Sequence, residues 1–264
     1  MKAIMPDVIL ILIAVLGLTV GSFLNVLIYR LPRKIPFISD RSRCPGCDTQ
    51  IKWYQNIPLI SYLFLAGKCA NCKKRISLRY PLVEALNAIS YLYFYWQFGL
   101  SYEFAVFSFL LTMLLAIFFI DLDFQIIPDV ITLPGILFGL GVSFLPGGIG
   151  IYSASIGLLA GGGSLFLIAM LGDWLFKRES MGGGDIKMAA MLGAFLGWEK
   201  ILLIFISSSV IGLVVSLILM CFSAKLRKER MIPFGPFLAI AAVLAISYGD
   251  QIIDFYVNNF LTVQ

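Results

Sequence analysis

Met181-Gly182-Gly183-Gly184-Asp185-Ile186-Lys187 sets a carboxylate behind three glycines, at the point where an apolar run begins. Glycine permits positive φ and the close approach of a neighbouring chain. A carboxylate at a helix N-terminus is favoured by the macrodipole, so one reading of Asp185 is a simple cap. A cap has no need of three glycines, however, and the span that follows, residues 186–198, is short. At 1.5 Å per residue it covers about 20 Å, against a hydrocarbon core of about 30 Å. Irregular backbone is tolerated at membrane depth only where protein or a hydrated cavity surrounds it. Asp185 is therefore expected in a partly sunken, hydrated pocket. An ionisable group at such a depth is a candidate functional group.

A second carboxylate, Asp121, closes an earlier apolar run in Phe119-Ile120-Asp121-Leu122-Asp123. It stands at a helix C-terminus, where the dipole disfavours negative charge. The plain alternative is an interfacial aspartate facing water. If the two helix ends lie on one side of a membrane, the carboxylates meet. Such a pair cannot both ionise cheaply and holds one proton between them. One member takes a proton from water while the other donates to a scissile carbonyl oxygen, the chemistry of an aspartyl protease. The other acids read more plainly. Asp129 follows Pro128 at a span start and suits a helix first turn. Asp123 is a solvated loop acid or a steering charge for a basic substrate. Asp173 precedes Lys177 by four residues, the spacing of a surface ion pair. Glu84 reads as a first-turn acid, with membership of a second pocket as the alternative.

The composition sets the frame for both aspartates. Of 264 residues, 60% are hydrophobic and only 13% charged, which implies an all-α polytopic membrane protein. The apolar runs are too long for barrel strands. There is no histidine, which excludes His-dependent triads and HExxH zinc proteases. The formal charge of +5 is concentrated: residues 30–79 carry eleven Lys/Arg against Asp40 and Asp48. That bias places the segment in the cytoplasm rather than pointing to a nucleic-acid partner.

About eight spans follow from the apolar runs. The first, residues 8–29, is too long for a signal-peptide core and reads as a retained span. After the polar segment come runs at 82–98, 103–120, 130–145, 152–175, 186–198, 201–222 and 234–257. Lys177 and Arg178, then Lys225, Arg227, Lys228 and Arg230, mark inside faces, and Trp198-Glu199-Lys200 makes an outside turn. Both termini then lie outside, and among basic residues only Lys2 and Lys200 join them. The domain division is 1–29, a first transmembrane helix; 30–80, a cytoplasmic module; and 81–264, a seven-helix membrane domain. Gly157 and Gly161, like Gly193 and Gly197, are four apart and suit close helix packing.

Four of the five cysteines form Cys44-Pro45-Gly46-Cys47 and Cys69-Ala70-Asn71-Cys72, with twenty-one residues between the pairs. Two such knuckles suit a tetrahedral four-cysteine zinc site. Disulfides are the alternative, against which a reducing cytoplasm argues. Arg43, Lys68, Lys73, Lys74 and Arg75 offset the excess charge of metal-bound thiolates. A closed site of four thiolates keeps no open coordination position, so its role is structural. Cys221 reads as an ordinary span residue.

Together these stretches resemble the bifunctional type IV prepilin leader peptidases. The likeness runs through Gly21-Ser22-Phe23-Leu24-Asn25-Val26, Tyr29-Arg30-Leu31-Pro32, both cysteine pairs and Trp53-Tyr54-Gln55-Asn56-Ile57-Pro58 between them. It continues through residues 76–84, Asp121-Leu122-Asp123, Ile127-Pro128-Asp129 and Gly182-Gly183-Gly184-Asp185-Ile186-Lys187. The Gly-x-Gly-Asp element is also similar to that of presenilin-type proteases, so it alone does not name a substrate. The resemblance implies cleavage of type IV prepilins and pseudopilins on the cytoplasmic side of a bacterial inner membrane, with Asp121 and Asp185 as the catalytic aspartates. It further implies methyl transfer from S-adenosylmethionine to the new amino terminus, an activity associated with the cysteine-bearing segment. No Rossmann pattern marks a methyl-donor pocket. Asn25, Glu84 and Asn87 are the polar groups that would line one. The competing readings are an ion-coupled transporter, an assembly scaffold, and a general intramembrane protease with another substrate.

Overall fold

The structure, a computed structural model, describes residues 4–36, 41–177, 180–222 and 232–261. Lys2, Asp40, Arg178, Lys225, Arg227, Lys228 and Arg230, used above to orient the chain, lie outside the described residues. Among those described, the protein is all-helical, and its extended backbone amounts to two isolated antiparallel bridges. The chain divides into two compact units, Met1–Ala116 and Ile117–Gln264.

The helices are α1 (Ile4–Arg30), α2 (Ile60–Phe64), α3 (Arg79–Phe98), α4 (Tyr102–Phe124), α5 (Asp129–Ser143), α6 (Ile151–Leu158), α7 (Ser164–Phe176), α8 (Gly183–Phe222) and α9 (Gly235–Tyr256). Among the described residues, five stretches are long and apolar enough to cross a membrane: Asp7–Arg30, Tyr102–Phe124, Ile151–Phe176, Gly183–Cys221 and Gly235–Phe260. The fourth carries two of the expected spans. The sequence places a turn at residues 198–200, but the chain passes instead through a kink at Gly197, with φ 81° and ψ 174°. Only glycine adopts that conformation freely. With α3 and the 15-residue α5, the helical runs match the eight expected spans.

In the first unit, α1 and α3 pack through glycines. A Cβ at Gly17 would lie 2.6 Å from Ala88 Cα, and one at Gly21 would lie 2.7 Å from Glu84 Cα. Polar side chains buried at this seam are satisfied across it. Asn87 Nδ2 donates to Gly17 O at 2.7 Å and Asn25 Nδ2 to Tyr80 O at 3.0 Å. The Thr112 hydroxyl donates to Asn87 Oδ1 at 3.1 Å. Such bonds are required, because an unpaired buried amide costs about 1–3 kcal/mol.

The second unit is built around the first half of α8. Met188, Ala189, Met191, Leu192 and Ala194 are fully buried there. A Cβ at Gly157 would strike the Gly193 carbonyl oxygen, and one at Gly193 would strike that of Gly157. The α6–α7 span reaches this contact through a π-helical turn, Leu159–Gly163, which sets Gly161 against the Ala189 backbone. The glycine spacing of the sequence is thus a crossing of two backbones. α8 also starts earlier than the sequence suggests, so Gly183 and Gly184 belong to the helix rather than to a loop before it. Asp173 does not pair with Lys177; it accepts hydrogen bonds from the Ser180 amide at 2.6 Å and hydroxyl at 2.8 Å.

Gly193→Ala is expected to lower stability by about 1–3 kcal/mol, the usual cost of overpacking. Gly141→Ala, where an added Cβ meets nothing within 4 Å, should leave it unchanged or slightly raised. Thermal unfolding of both variants in detergent checks the contrast.

Candidate active site and metal centre

Asp121 lies in the last turn of α4 and is buried, although the neighbouring Leu122 and Asp123 are exposed. α4 ends at Phe124, and the next residue, Gln125, turns the chain with a positive φ of 53° while its amide donates to Asp121 O at 2.9 Å. The next residues, Ile126-Ile127-Pro128, lead into α5. Asp185 enters in the first turn of α8, with its amide donating to Gly182 O at 3.1 Å.

The structure places the two carboxylates within electrostatic range of each other, with Ile127 packed between Gly184, beside Asp185, and Gly235, beside Asp121. Asp121 Oδ2 accepts a hydrogen bond from the Gly235 amide at 3.1 Å. Asp185 Oδ1 is buried and has no hydrogen-bond partner among the described residues. One carboxylate is therefore oriented by a backbone donor while the other presents a buried, uncommitted oxygen. A buried unsatisfied oxygen is costly and marks a place for a proton, a water or a substrate.

Two glycines make this approach possible. A Cβ at Gly235 would stand 2.6 Å from Asp121 Oδ2 and 3.1 Å from Ile127 Cδ1. A Cβ at Gly184 would stand 2.8 Å from Ile127 Cβ, a branched atom with no freedom to move away. Ile127 is thus a spacer touching both glycines. Asp129, read as a first-turn acid, does begin α5, and it also binds Lys187 Nζ through both oxygens at 2.7 and 2.8 Å. That exposed pair adds little stability, but it ties the start of α5 to the turn carrying Asp185.

Gly235 was not foreseen from the sequence. Its contribution is a backbone amide, which no residue type announces. The available hint was Pro233-Phe234-Gly235-Pro236, a glycine between prolines at the start of an apolar run. Pro236 in the first turn of α9 is the usual mark of a helix beginning.

The four cysteines also meet. Their Sγ atoms lie within 4.8 Å of one another, with Cys44–Cys72 at 3.9 Å and Cys47–Cys69 at 4.0 Å. Tetrahedral zinc at about 2.3 Å from each sulfur sets neighbouring sulfurs about 3.8 Å apart, so the cage fits that ion. The two knuckles repeat each other. The amide of Cys44 donates to Thr49 O and that of Cys69 to Lys74 O. Asp48 and Lys73, each one past the second cysteine, both take positive φ. Bridges Arg43–Gln50 and Lys68–Arg75 close the two loops. Over residues 41–77 only Cys44, Ser61 and Gly67 are buried. With so small a core, the metal clamp has to supply much of the module's order.

The residues proposed to line a methyl-donor pocket are otherwise engaged. Asn25 and Asn87 hold the α1–α3 seam as described above. Glu84, read as a first-turn acid, is instead buried, and its Oε2 accepts from the Leu59 amide at 2.8 Å. Each of these three side chains thus has a hydrogen-bond partner within the protein.

A polytopic helical membrane protein with a carboxylate pair at two helix ends, joined to a four-thiolate module, is thereby defined. Residues 108–217 match the type IV leader peptidase family, and residues 15–98 match the bacterial peptidase A24 N-terminal domain. The chain belongs to the type IV leader peptidase family. Relatives named prepilin leader peptidase/N-methyltransferase include one from Pseudomonas putida, 38% identical, with 97% of this chain and 96% of the relative covered. One from Stutzerimonas stutzeri is 40% identical and one from Neisseria gonorrhoeae 37%, covering 92% and 91% of each chain respectively. No solved structure matches the chain.

Cys44→Ser and Cys72→Ser are each expected to lower bound zinc well below about one ion per chain, the full complement of a single four-thiolate site. Cys221→Ser should leave it unchanged. Elemental analysis of the purified full chain gives the answer.

Proposed function

We propose that this chain is a prepilin leader peptidase and N-methyltransferase. The observation that carries the reading is the placement of two carboxylates, Asp121 and Asp185, within electrostatic range of each other in a chain that aligns with such enzymes over nearly its whole length. Substrates are type IV prepilins and the related pseudopilins, cut after a short basic leader. The peptidase activity belongs to residues 81–264 and the methyl-transfer activity to the module at 30–80, with 1–29 as the first transmembrane helix. The module and the aspartate pair face the cytoplasm and both termini lie outside, a topology supported by the eleven basic residues at 30–79.

The geometry supports a division of labour at the peptide bond. The Gly235 amide holds Asp121 Oδ2 and so fixes the orientation of that carboxyl group. Its other oxygen and the uncommitted Oδ1 of Asp185 then frame a water molecule. One carboxylate takes a proton from that water as it attacks the scissile carbonyl, and the other, protonated, donates to the carbonyl oxygen. Collapse of the tetrahedral species returns a proton to the leaving amine. Burial in the bundle excludes bulk water and strengthens these interactions. The lack of a side chain at Gly184 and Gly235 lets the starts of α8 and α9 close on Ile127 and Asp121.

Methyl transfer uses S-adenosylmethionine, which supplies an electrophilic methyl group to the exposed amino terminus. Asn25, Glu84 and Asn87 serve this activity indirectly, by holding α1, α3 and the residue before α2 in place. Zinc held by Cys44, Cys47, Cys69 and Cys72 has the structural role of clamping the two knuckles together.

Processing of a prepilin by the purified chain, read by product mass, tests both activities at once. Asp121→Asn and Asp185→Asn are each expected to lower the cleavage rate by about 10²–10⁴-fold, the usual contribution of an acid–base group. Either variant cutting at near the normal rate would show that residue to be structural. A wild-type chain that leaves several prepilins intact would return the transporter and scaffold readings.

Gly235→Ala is expected to slow cleavage by about 10²-fold, because it displaces the Asp121 carboxyl by roughly an ångström. Its melting temperature is expected to fall as well, since the added Cβ disturbs the Gly235–Asp121 hydrogen bond and meets Ile127 Cδ1 at 3.1 Å, and circular dichroism checks that the variant is folded.

A further inference from the structure

α2 is inside out. Its five residues place Ile60, Leu63 and Phe64 on one face, at the i, i+3, i+4 spacing of a helical stripe. That face is exposed, with Leu63 at 76% and Phe64 at 86%, whereas the polar Ser61 on the other side is buried. Ser61 Oγ donates to Tyr54 O at 2.9 Å, which fixes the turn carrying Trp53, itself 81% exposed, beside α2. A helix in water buries its apolar face, so this arrangement needs a non-aqueous neighbour.

Depth identifies that neighbour. The residue before α2, Leu59, is tied by its amide to Glu84 Oε2 at 2.8 Å. Glu84 is the sixth residue of α3, which puts it about 7–8 Å beyond the helix start at 1.5 Å per residue. It lies inside the predicted span, level with exposed apolar residues Leu82 and Leu86. α2 therefore begins at a height where α3 is already apolar on its outer face. Interfacial helices settle about 5–10 Å into the boundary between headgroups and acyl chains, which matches. Composition agrees, because Trp, Tyr and Phe favour that boundary. Charge agrees as well, since the eleven Lys/Arg at 30–79 would attract an anionic leaflet.

We propose that α2, with Trp53, is an interfacial anchor that inserts its Ile60–Leu63–Phe64 face into the leaflet beside α1 and α3. The anchor, the Glu84 bond and the metal clamp together hold the cysteine module against the bilayer. The occupant of this face is lipid, not a second copy of the chain or another protein.

The test uses the full chain with Phe64→Trp and with Trp53, Trp96, Trp174 and Trp198 replaced by Phe. The chain is reconstituted in vesicles of phosphatidylcholine and phosphatidylglycerol. Lipids brominated at the headgroup end of the acyl chain should lower the tryptophan emission by about twofold, and aqueous acrylamide should quench it weakly. Quenching by acrylamide without quenching by brominated lipid would overturn the proposal, because the face would be in water. Protection from both would also overturn it, in favour of a protein partner. A second chain that keeps only the native Trp53 carries the same expectation and the same two contrary outcomes, and bound zinc reports that the module is folded in each. Neither readout depends on peptidase or methyl-transfer activity.

Discussion

A carboxylate buried among apolar helices must be held by something, and for Asp121 that something is the Gly235 amide. The bond is long-range, 114 residues in sequence, and it dictates what surrounds it. The first residue of α9 has to come within hydrogen-bonding distance of a side chain in the last turn of α4. That leaves no volume for a side chain at 235. Ile127 fills the adjoining space and in turn requires glycine at 184. Gly235 and Gly184 are therefore consequences of one hydrogen bond and one spacer. Asp185, two residues into α8, is brought to Asp121 by the same packing.

The polar side chains at the α1–α3 seam and the Asp185 carboxyl are satisfied to different degrees. At the seam, every buried polar side chain named above reaches a backbone or side-chain partner, so the α1–α3 seam is locked in register. Asn87 bridges Gly17 and Thr112, and Glu84 reaches out of α3 to the loop before α2. In the second unit, Asp185 Oδ1 is left without a partner among the described residues. Ser108 Oγ in the first unit and Thr132 Oγ1 in the second are also buried without a hydrogen-bond partner among the described residues, so the Asp185 oxygen is set apart by belonging to a carboxyl group.

What the sequence disclosed followed from side-chain chemistry. The cysteine pairs, the two aspartates and the four-residue glycine spacings were all legible, because each has a recognisable residue type at a recognisable interval. Their meeting was an expectation that needed the fold. Backbone groups were not legible. The Gly235 amide, the Leu59 amide and the π turn at Leu159–Gly163 carry no residue signature and depend on elements far apart in the chain. Glu84 illustrates the limit. Its position just inside the span expected at 82–98 suggested a first-turn acid, but α3 begins at Arg79 and a loop twenty-five residues earlier takes its carboxylate as an acceptor. Asp173 does the same on a smaller scale, choosing Ser180 over the expected Lys177 because a backbone amide and a hydroxyl together satisfy it better than one exposed ion pair.

The cysteine module raises the remaining physical question, which is how about fifty residues stay folded with almost nothing buried. Hydrophobic burial is not available within residues 41–77, since a cysteine, a serine and a glycine are all that is sequestered there. Zinc binding to thiolate knuckles is worth roughly 10–16 kcal/mol in isolated peptides, enough to order two loops that share one ion. It does not order the segment between the knuckles, where Trp53, Leu63 and Phe64 project outward. That segment needs its own restraint, and the chain supplies one at each scale. Ser61 pins α2 to the Trp53–Asn56 turn, Glu84 pins the start of α2 to α3, and an apolar environment removes the cost of its outward face. A module fastened to the leaflet in this way has a fixed height above α1 and α3. Its order is then a property of the membrane-embedded chain, not of the module as a separate domain.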